Sequence, residues 1–142
     1  MNETMHLLEQ FYERFNANDL DGQVRLLDPD CLTVDPIETM RTAAAYRAYS
    51  ERFRRALPDA SLTVVSAICE GDNVSVEGRF RGTNTGPLTT PQGEVPPTGR
   101  TIDLPYVDIV RSEAGRIVEH HVYYDQMAFL AMLGLVEAPS AG

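Results

Sequence analysis

Arg116-Ile-Val-Glu-His-His-Val-Tyr-Tyr-Asp125-Gln-Met-Ala-Phe-Leu-Ala-Met-Leu-Gly-Leu135 is the stretch on which the fold turns. It begins with the β-branched and aromatic residues of a strand and changes period at Asp125. Met127, Leu130, Ala131 and Leu133 then recur at helical spacing up to Gly134. A carboxylate at that change has two readings. It is a helix N-cap accepting backbone N–H bonds, or an acid/base group held at the mouth of a sheet.

Working outward, three further strand-like runs precede this one: Ser61 to Glu70, Asn73 to Gly82 and Thr101 to Arg111. In the second, Val74, Val76 and Phe80 alternate with Ser75, Glu77, Arg79 and Arg81, as expected of an antiparallel sheet with one wetter face. Ser112-Glu-Ala-Gly115 reads as a hairpin turn. The N-terminal part is helical. Met5, Leu8, Tyr12 and Phe15, reinforced by Phe11, form one apolar face. Asp19 caps a short second helix through Leu27, and a third runs from about Thr42 to Leu57 with Tyr49 and Phe53 on its apolar face. Cys31 to Val34 is a short β-like run ending at Asp35-Pro36. Helices followed by an antiparallel sheet predict an α+β fold with the helices on one sheet face.

The 142 residues fit a single domain over 1–136, with 137–142 as a frayed tail. The net charge of −9, with arginine as the sole source of the 12 basic side chains, argues against nucleic acid or an anionic membrane as a partner. There is no secretory pattern and no apolar run of membrane-spanning length, so a cytoplasmic location is expected. Cys31 and Cys69 lack metal or disulfide spacing and are expected as buried thiols. The Gly/Pro-rich segment 82–100 is either a solvated excursion or a lid over a pocket.

No nucleophile elbow, phosphate loop or zinc spacing occurs, so the candidate groups are carboxylates and histidines. Neighbouring strand residues point to opposite faces. By period two His121, Glu119 and Tyr123 share a face with Asp125, whereas His120 does not. Asp108 lies on a strand face otherwise made of Ile102, Leu104, Tyr106 and Val110, and must be paired or protonated there. Arg79 and Arg111 are its available ionic partners, so a structural pair and a catalytic role both stay open. Asp35 is either an ordinary turn former or a third candidate.

Asn-Asp-Leu-Asp-Gly22, Val-Asp-Pro36, Leu-Pro-Asp59, Arg-Gly-Thr-Asn-Thr-Gly-Pro87, Pro-Thr-Gly-Arg100, Gly-Arg-Ile117 and Tyr-Tyr-Asp125 occur in that order over nearly the whole chain. Together they resemble the SnoaL-like polyketide cyclases, in the superfamily of nuclear transport factor two and ketosteroid isomerase. The resemblance implies a cone-shaped curved antiparallel sheet against three N-terminal helices, a short C-terminal helix, an internal pocket and a homodimer through the sheet. It also implies cofactor-independent, metal-free aldol ring closure of a hydrophobic carbonyl or polyketide ester, with Asp125 as acid and base and His121 beside it. Asn84, Tyr123, Asp35, Phe11, Tyr12, Asp108, Tyr49 and Phe53 would then contact substrate. Many relatives carry His where this chain has Asn84.

The isomerase branch would place its general base at Asp35, its oxyanion tyrosine at Phe11 and its oxyanion acid at about Val107. Tyr12 and Asp108 lie one residue off, which rotates a helix residue by about 100° and turns a strand residue to the other face. That chemistry is therefore disfavoured at this stage. A limonene-type epoxide hydrolase, with Asp108 and Asp125 around a water and Arg79 or Arg111 as the cation, is the enzyme alternative. A non-catalytic small-molecule binding module is the other.

Overall fold

The computed structural model describes residues 2–137. The chain runs through α1 (Glu3–Asn16), α2 (Leu20–Val24), β1 (Leu27–Val34), β2 (Thr39–Met40), α3 (Ala43–Ala56), β3 (Ser61–Glu70), β4 (Asn73–Thr83), β5 (Leu88–Thr90), β6 (Gly93–Val95), β7 (Thr101–Glu113), β8 (Arg116–Tyr124) and α4 (Gln126–Met132). The expected α+β architecture is present. A six-stranded curved sheet in the order β2-β1-β8-β7-β4-β3 is covered by the helices on its inner face.

Local chemistry sets the helix boundaries. Asn2, Asp19, Thr42 and Asp125 each cap a helix N-terminus by accepting from the backbone N–H three residues on. The α1 helix stops where Asn18 turns to φ 58°. It buries Leu7, Leu8, Phe11, Tyr12 and Phe15, a wide apolar arc that the curved sheet wraps. The second helix ends at Val24, before the expected Leu27, because Leu27 already opens β1.

The sheet departs from a purely antiparallel one at a single junction. β1 lies parallel to β8, with Thr33 beside His120 and Val34 beside His121. β7 joins β8 through Ala114 and Gly115, both at positive φ, a two-residue turn whose twist suits paired strands. β7 alternates cleanly, burying Ile102, Leu104, Tyr106, Asp108 and Val110 and turning the residues between them outward. On β8 the register against β7 shifts by one residue around Val118. Beyond that bulge His120, Val122 and Tyr124 face inward.

The segment 82–100 is not a simple solvated excursion: it folds into the β5–β6 hairpin, and its residues 88–92 wall a pocket, as the lid reading expects. Asn84 holds the base of that hairpin. Its amide donates to the carbonyls of Ala56 and Gly86 at 3.0 and 2.9 Å, and its oxygen accepts from the Thr98 N–H and hydroxyl, each at 2.9 Å. Cys31 is buried as expected, but Cys69 is exposed on the outer edge strand β3. No helix among the described residues is long and apolar enough to cross a membrane. The tail expected from residue 137 lies, apart from Glu137, outside the described residues.

Candidate active site

Between the helices and the inner sheet face lies a chamber of about 80 Å³, walled by Phe11, Phe15, Tyr46, Phe80, Leu104 and neighbouring apolar groups. Tyr49, Phe53, Tyr124 and Phe129 line both this chamber and an outer vestibule of about 600 Å³. They form a neck between the two compartments.

The chamber is mostly apolar, and its carboxylate and imidazole, Asp108 and His120, lie together. There β7 supplies Tyr106 and Asp108, β8 supplies His120, and Tyr12 of α1 reaches Asp108. Asp108 and His120 are each only 3% exposed. Tyr12 donates its hydroxyl to Asp108 Oδ2 at 2.6 Å. His120 Nε2 stands 3.1 Å from Asp108 Oδ1. The imidazole is not aimed along that line, however, so both ring nitrogens and Oδ1 lack an aligned protein partner. The Tyr106 and Tyr124 hydroxyls are likewise buried without partners. Buried polar atoms normally find partners, and a cluster that does not, around an open chamber, marks a place prepared for a ligand's polar atoms.

The imidazole is clamped between Phe11, edge-on at 5.7 Å between ring centroids, and Tyr46, tilted at 5.8 Å. Burial, and next the charge of Asp108, push the phenols of Tyr12, Tyr46 and Tyr106 well above the ordinary tyrosine range. These phenols therefore stay protonated at working pH, as donors to an oxygen. No lysine or arginine lines the chamber, so Asp108 and His120 are each other's nearest ionic partners.

A second carboxylate sits at the neck. Asp35 Oδ2 accepts from the Tyr49 hydroxyl at 2.5 Å and Oδ1 from the Ile37 N–H at 2.9 Å. Burial and Asp35 together raise the phenols of Tyr49 and Tyr124. Among the described residues no three His, Cys, Asp or Glu side chains are grouped so as to hold a metal ion.

The structure thus brings Phe11, Asp108, Tyr49 and Phe53 to the chamber, Tyr12 to the Asp108 carboxylate and Asp35 to the neck. It keeps four other candidates apart. Asp125 is exposed and caps α4, its Oδ1 accepting from Ala128 N–H at 3.0 Å. His121 pairs with Glu119 at 3.0 Å and stacks on Tyr123, which is 52% exposed on the outer sheet face. Asn84 lines neither compartment, its hydrogen-bonding capacity being used by the hairpin base.

Extending the strand alternation through Asp125 selected the outward residues of β8. Asp125 already has cap geometry, and the inward set is the even-numbered one. His120, Tyr106 and Tyr124 are the groups that this parity concealed. The shared face of Tyr106 and Asp108 was the available signal for one of them. The offset counted against Tyr12 and Asp108 does not remove them from the site. The sheet wraps a broad arc of α1, and on β7 it is Val107 that points outward. Nor do Arg79 and Arg111 reach Asp108. The former pairs with Asp103 at 2.9 Å and the latter with Glu113 and Glu119. The two-acid, one-arginine arrangement of an epoxide hydrolase is therefore not assembled.

Comparison with solved structures agrees with this architecture. AclR from Streptomyces galilaeus, a proposed hydroxylase, is 24% identical over 98% of this chain and 85% of its own, with a TM-score of 0.83. TsrD from Streptomyces laurentii is 25% identical over 94% and 96%, with a TM-score of 0.80. IdmH from Streptomyces antibioticus, a proposed polyketide cyclase, is 28% identical over 92% and 98%, with a TM-score of 0.76. No curated protein sequence matches the chain. The SnoaL-like domain model matches residues 8–120, which include the chamber's acid, histidine and all but two of its aromatic walls, and the chain belongs to the SnoaL-like domain family.

Proposed function

We propose that this chain is a cofactor-independent acid/base enzyme that removes a proton from carbon beside a carbonyl in a hydrophobic substrate and closes a ring by intramolecular aldol addition. The observation that carries this reading is the buried Asp108–His120 pair with its two phenols in a mostly apolar chamber. The His120–Asp108 pair takes the proton. The unpartnered Tyr106 hydroxyl donates to the oxygen of the enolate as its charge develops, while Tyr12, whose hydroxyl is given to Asp108, orients the carboxylate. The enolate carbon bonds to a second carbonyl of the same molecule, and the resulting alkoxide takes the proton back from the pair. No atom is gained or lost. A positioned acid/base group contributes roughly 10²–10⁴-fold, and folding the substrate against aromatic walls adds an entropic advantage. A relative described as a proposed polyketide cyclase supports the ring-closing form of the chemistry.

Copies of the chain are proposed to pair through the outer sheet face. Val65, Ile68, Ile109 and Tyr123 are exposed there, Ile68 by 75%.

The test is solvent-deuterium exchange at the α-carbon of a bound aryl ketone, with ring closure followed on a panel of diketo esters. Asp108→Asn and His120→Gln are expected to lose 10²-fold or more in exchange with ketone binding retained, while Asp125→Asn keeps wild-type rates. Loss in Asp125→Asn with Asp108→Asn active would move the base to Asp125. Equal binding by all variants without any exchange would make the chain a binding module.

A further inference from the structure

The size of the two compartments restricts how a substrate can lie. A dry cavity that accepts benzene measures about 150 Å³. The inner chamber, at about 80 Å³, holds only a carbonyl and the few carbons next to it. Everything else of a ring-forming substrate must occupy the vestibule of about 600 Å³. The vestibule wall therefore selects the substrate.

That wall is more polar than the chamber. Of its charged groups, Asp35 has both oxygens engaged, by Ile37 N–H and Tyr49. Glu38 is bound to Arg52. Arg52 is the one cation among the described lining residues. It rises from α3 one turn after Tyr49, and its guanidinium carbon lies 5.8 Å from the Tyr49 ring centroid. The head group is thus held at the outer side of the neck, where Tyr49 separates it from the chamber. Arg52 and Glu38 are each about 40% exposed, and an ion pair so placed is worth little in water. Exchanging Glu38 for another carboxylate costs correspondingly little. A planar guanidinium binds a carboxylate through two parallel N–H bonds. Across the vestibule Gln126 presents an amide oxygen that is buried and unpartnered.

We propose that the vestibule is the main substrate compartment and that Arg52 anchors a carboxylate at the outer end of the substrate, with Glu38 occupying the guanidinium until the ligand replaces it. The substrate class is accordingly a free keto acid: an aromatic or polyketide body with its reactive carbonyl inward and its acid outward. This rests on the acid/base reading of the inner chamber for the direction of binding, though not for the anchor itself.

The experiment measures binding of 4-(naphthalen-2-yl)-4-oxobutanoic acid and of its methyl ester by calorimetry to wild type, Arg52→Gln and Glu38→Gln. The acid is expected to bind about tenfold more tightly than the ester to wild type. Arg52→Gln loses that preference while its affinity for the ester and its melting temperature stay unchanged, since the side chain is half exposed. Glu38→Gln, which frees the guanidinium, raises affinity for the acid alone. Equal binding of acid and ester to wild type overturns the anchor, as does a preference that survives in Arg52→Gln or the binding of neither ligand. The same titration on Asp108→Asn separates the two proposals. Preserved acid preference with wild-type deuterium exchange leaves the anchor standing and removes the acid/base reading, whereas lost preference in Arg52→Gln alone says nothing against Asp108.

Discussion

Gly78 is the position where one methyl group should damage the site. It pairs directly with Tyr106 across β4 and β7, is buried, and faces the chamber side. A Cβ built there would lie 2.4 Å from both the Cζ and the hydroxyl oxygen of Tyr106. Ordinary contact begins near 3.4 Å, so in Gly78→Ala the phenol must shift by about an ångström, into the chamber or against Tyr12, whose ring is 6.2 Å away. Overpacking of this kind costs about 1–3 kcal/mol, against which alanine recovers about 0.5–1 kcal/mol of strand conformational entropy. The expected net loss is about 1–2 kcal/mol in urea denaturation, with deuterium exchange on a bound ketone falling at least tenfold. Tyr106→Phe would not relieve the clash, because Cζ remains. Tyr106→Val removes the ring, so Gly78→Ala should be neutral or mildly stabilising in that background, and the coupling between the two positions reports the contact itself. If Gly78→Ala costs nothing in the native background, or the same in both, the close approach of Tyr106 to β4 is not a constraint on the site.

Two other expectations concern stability. The phenols of Tyr12, Tyr46, Tyr49, Tyr106 and Tyr124 are all raised, chiefly by burial, and burial lifts the Cys31 thiol to about 11. The folded chain keeps these protons where the unfolded chain releases them, so the stability they confer is full below about pH 9 and is lost as pH climbs through the raised values. Each group steepens the fall by about 1.4 kcal/mol per pH unit. Melting temperature should be flat to pH 9 and drop sharply beyond 10, with no phenolate absorbance from these five tyrosines before unfolding. Their titration in the folded protein would contradict the packing. Asn84→Ala should cost about 2–4 kcal/mol through its four hydrogen bonds, two of them buried and two part-buried, and speed amide exchange in the β5–β6 hairpin. Asn84→His should destabilise the chain as well. A gain of activity without loss of stability would refute the structural role of Asn84.

The elements were legible wherever one physical signal dominated. Helical periodicity located α1 and α3, a side-chain cap at Asp19 marked the start of α2, and alternation along β7 identified Asp108 as an inward carboxylate. Three things were not legible, each for a definite reason. The parallel pairing of β1 with β8 is a long-range contact that leaves no local trace. The β5–β6 hairpin is built from three-residue strands too short to show a period, and is held by a side chain, Asn84, that reads locally as a loop residue. The choice between His120 and His121 depended on a bulge at Val118 and on where β8 ends. Asp125 was assigned to the strand face when its backbone had already turned to cap α4.

β8 is one of the two central strands of the sheet and the last of its six to be made. Until it is inserted, the β1–β2 pair has no link to the rest of the sheet, and the chamber lacks His120, Val122 and Tyr124. During synthesis the N-terminal half must therefore wait beside an open seam, with the aromatic faces of α1 and α3 only partly covered. Folding of the pocket is postponed until the ribosome has delivered about residue 124 and the exit tunnel has released it. A chain cut short before β8 would lose both the binding chamber and the join between the two ends of the sheet. Ligand-binding competence in this protein consequently waits on the arrival of β8.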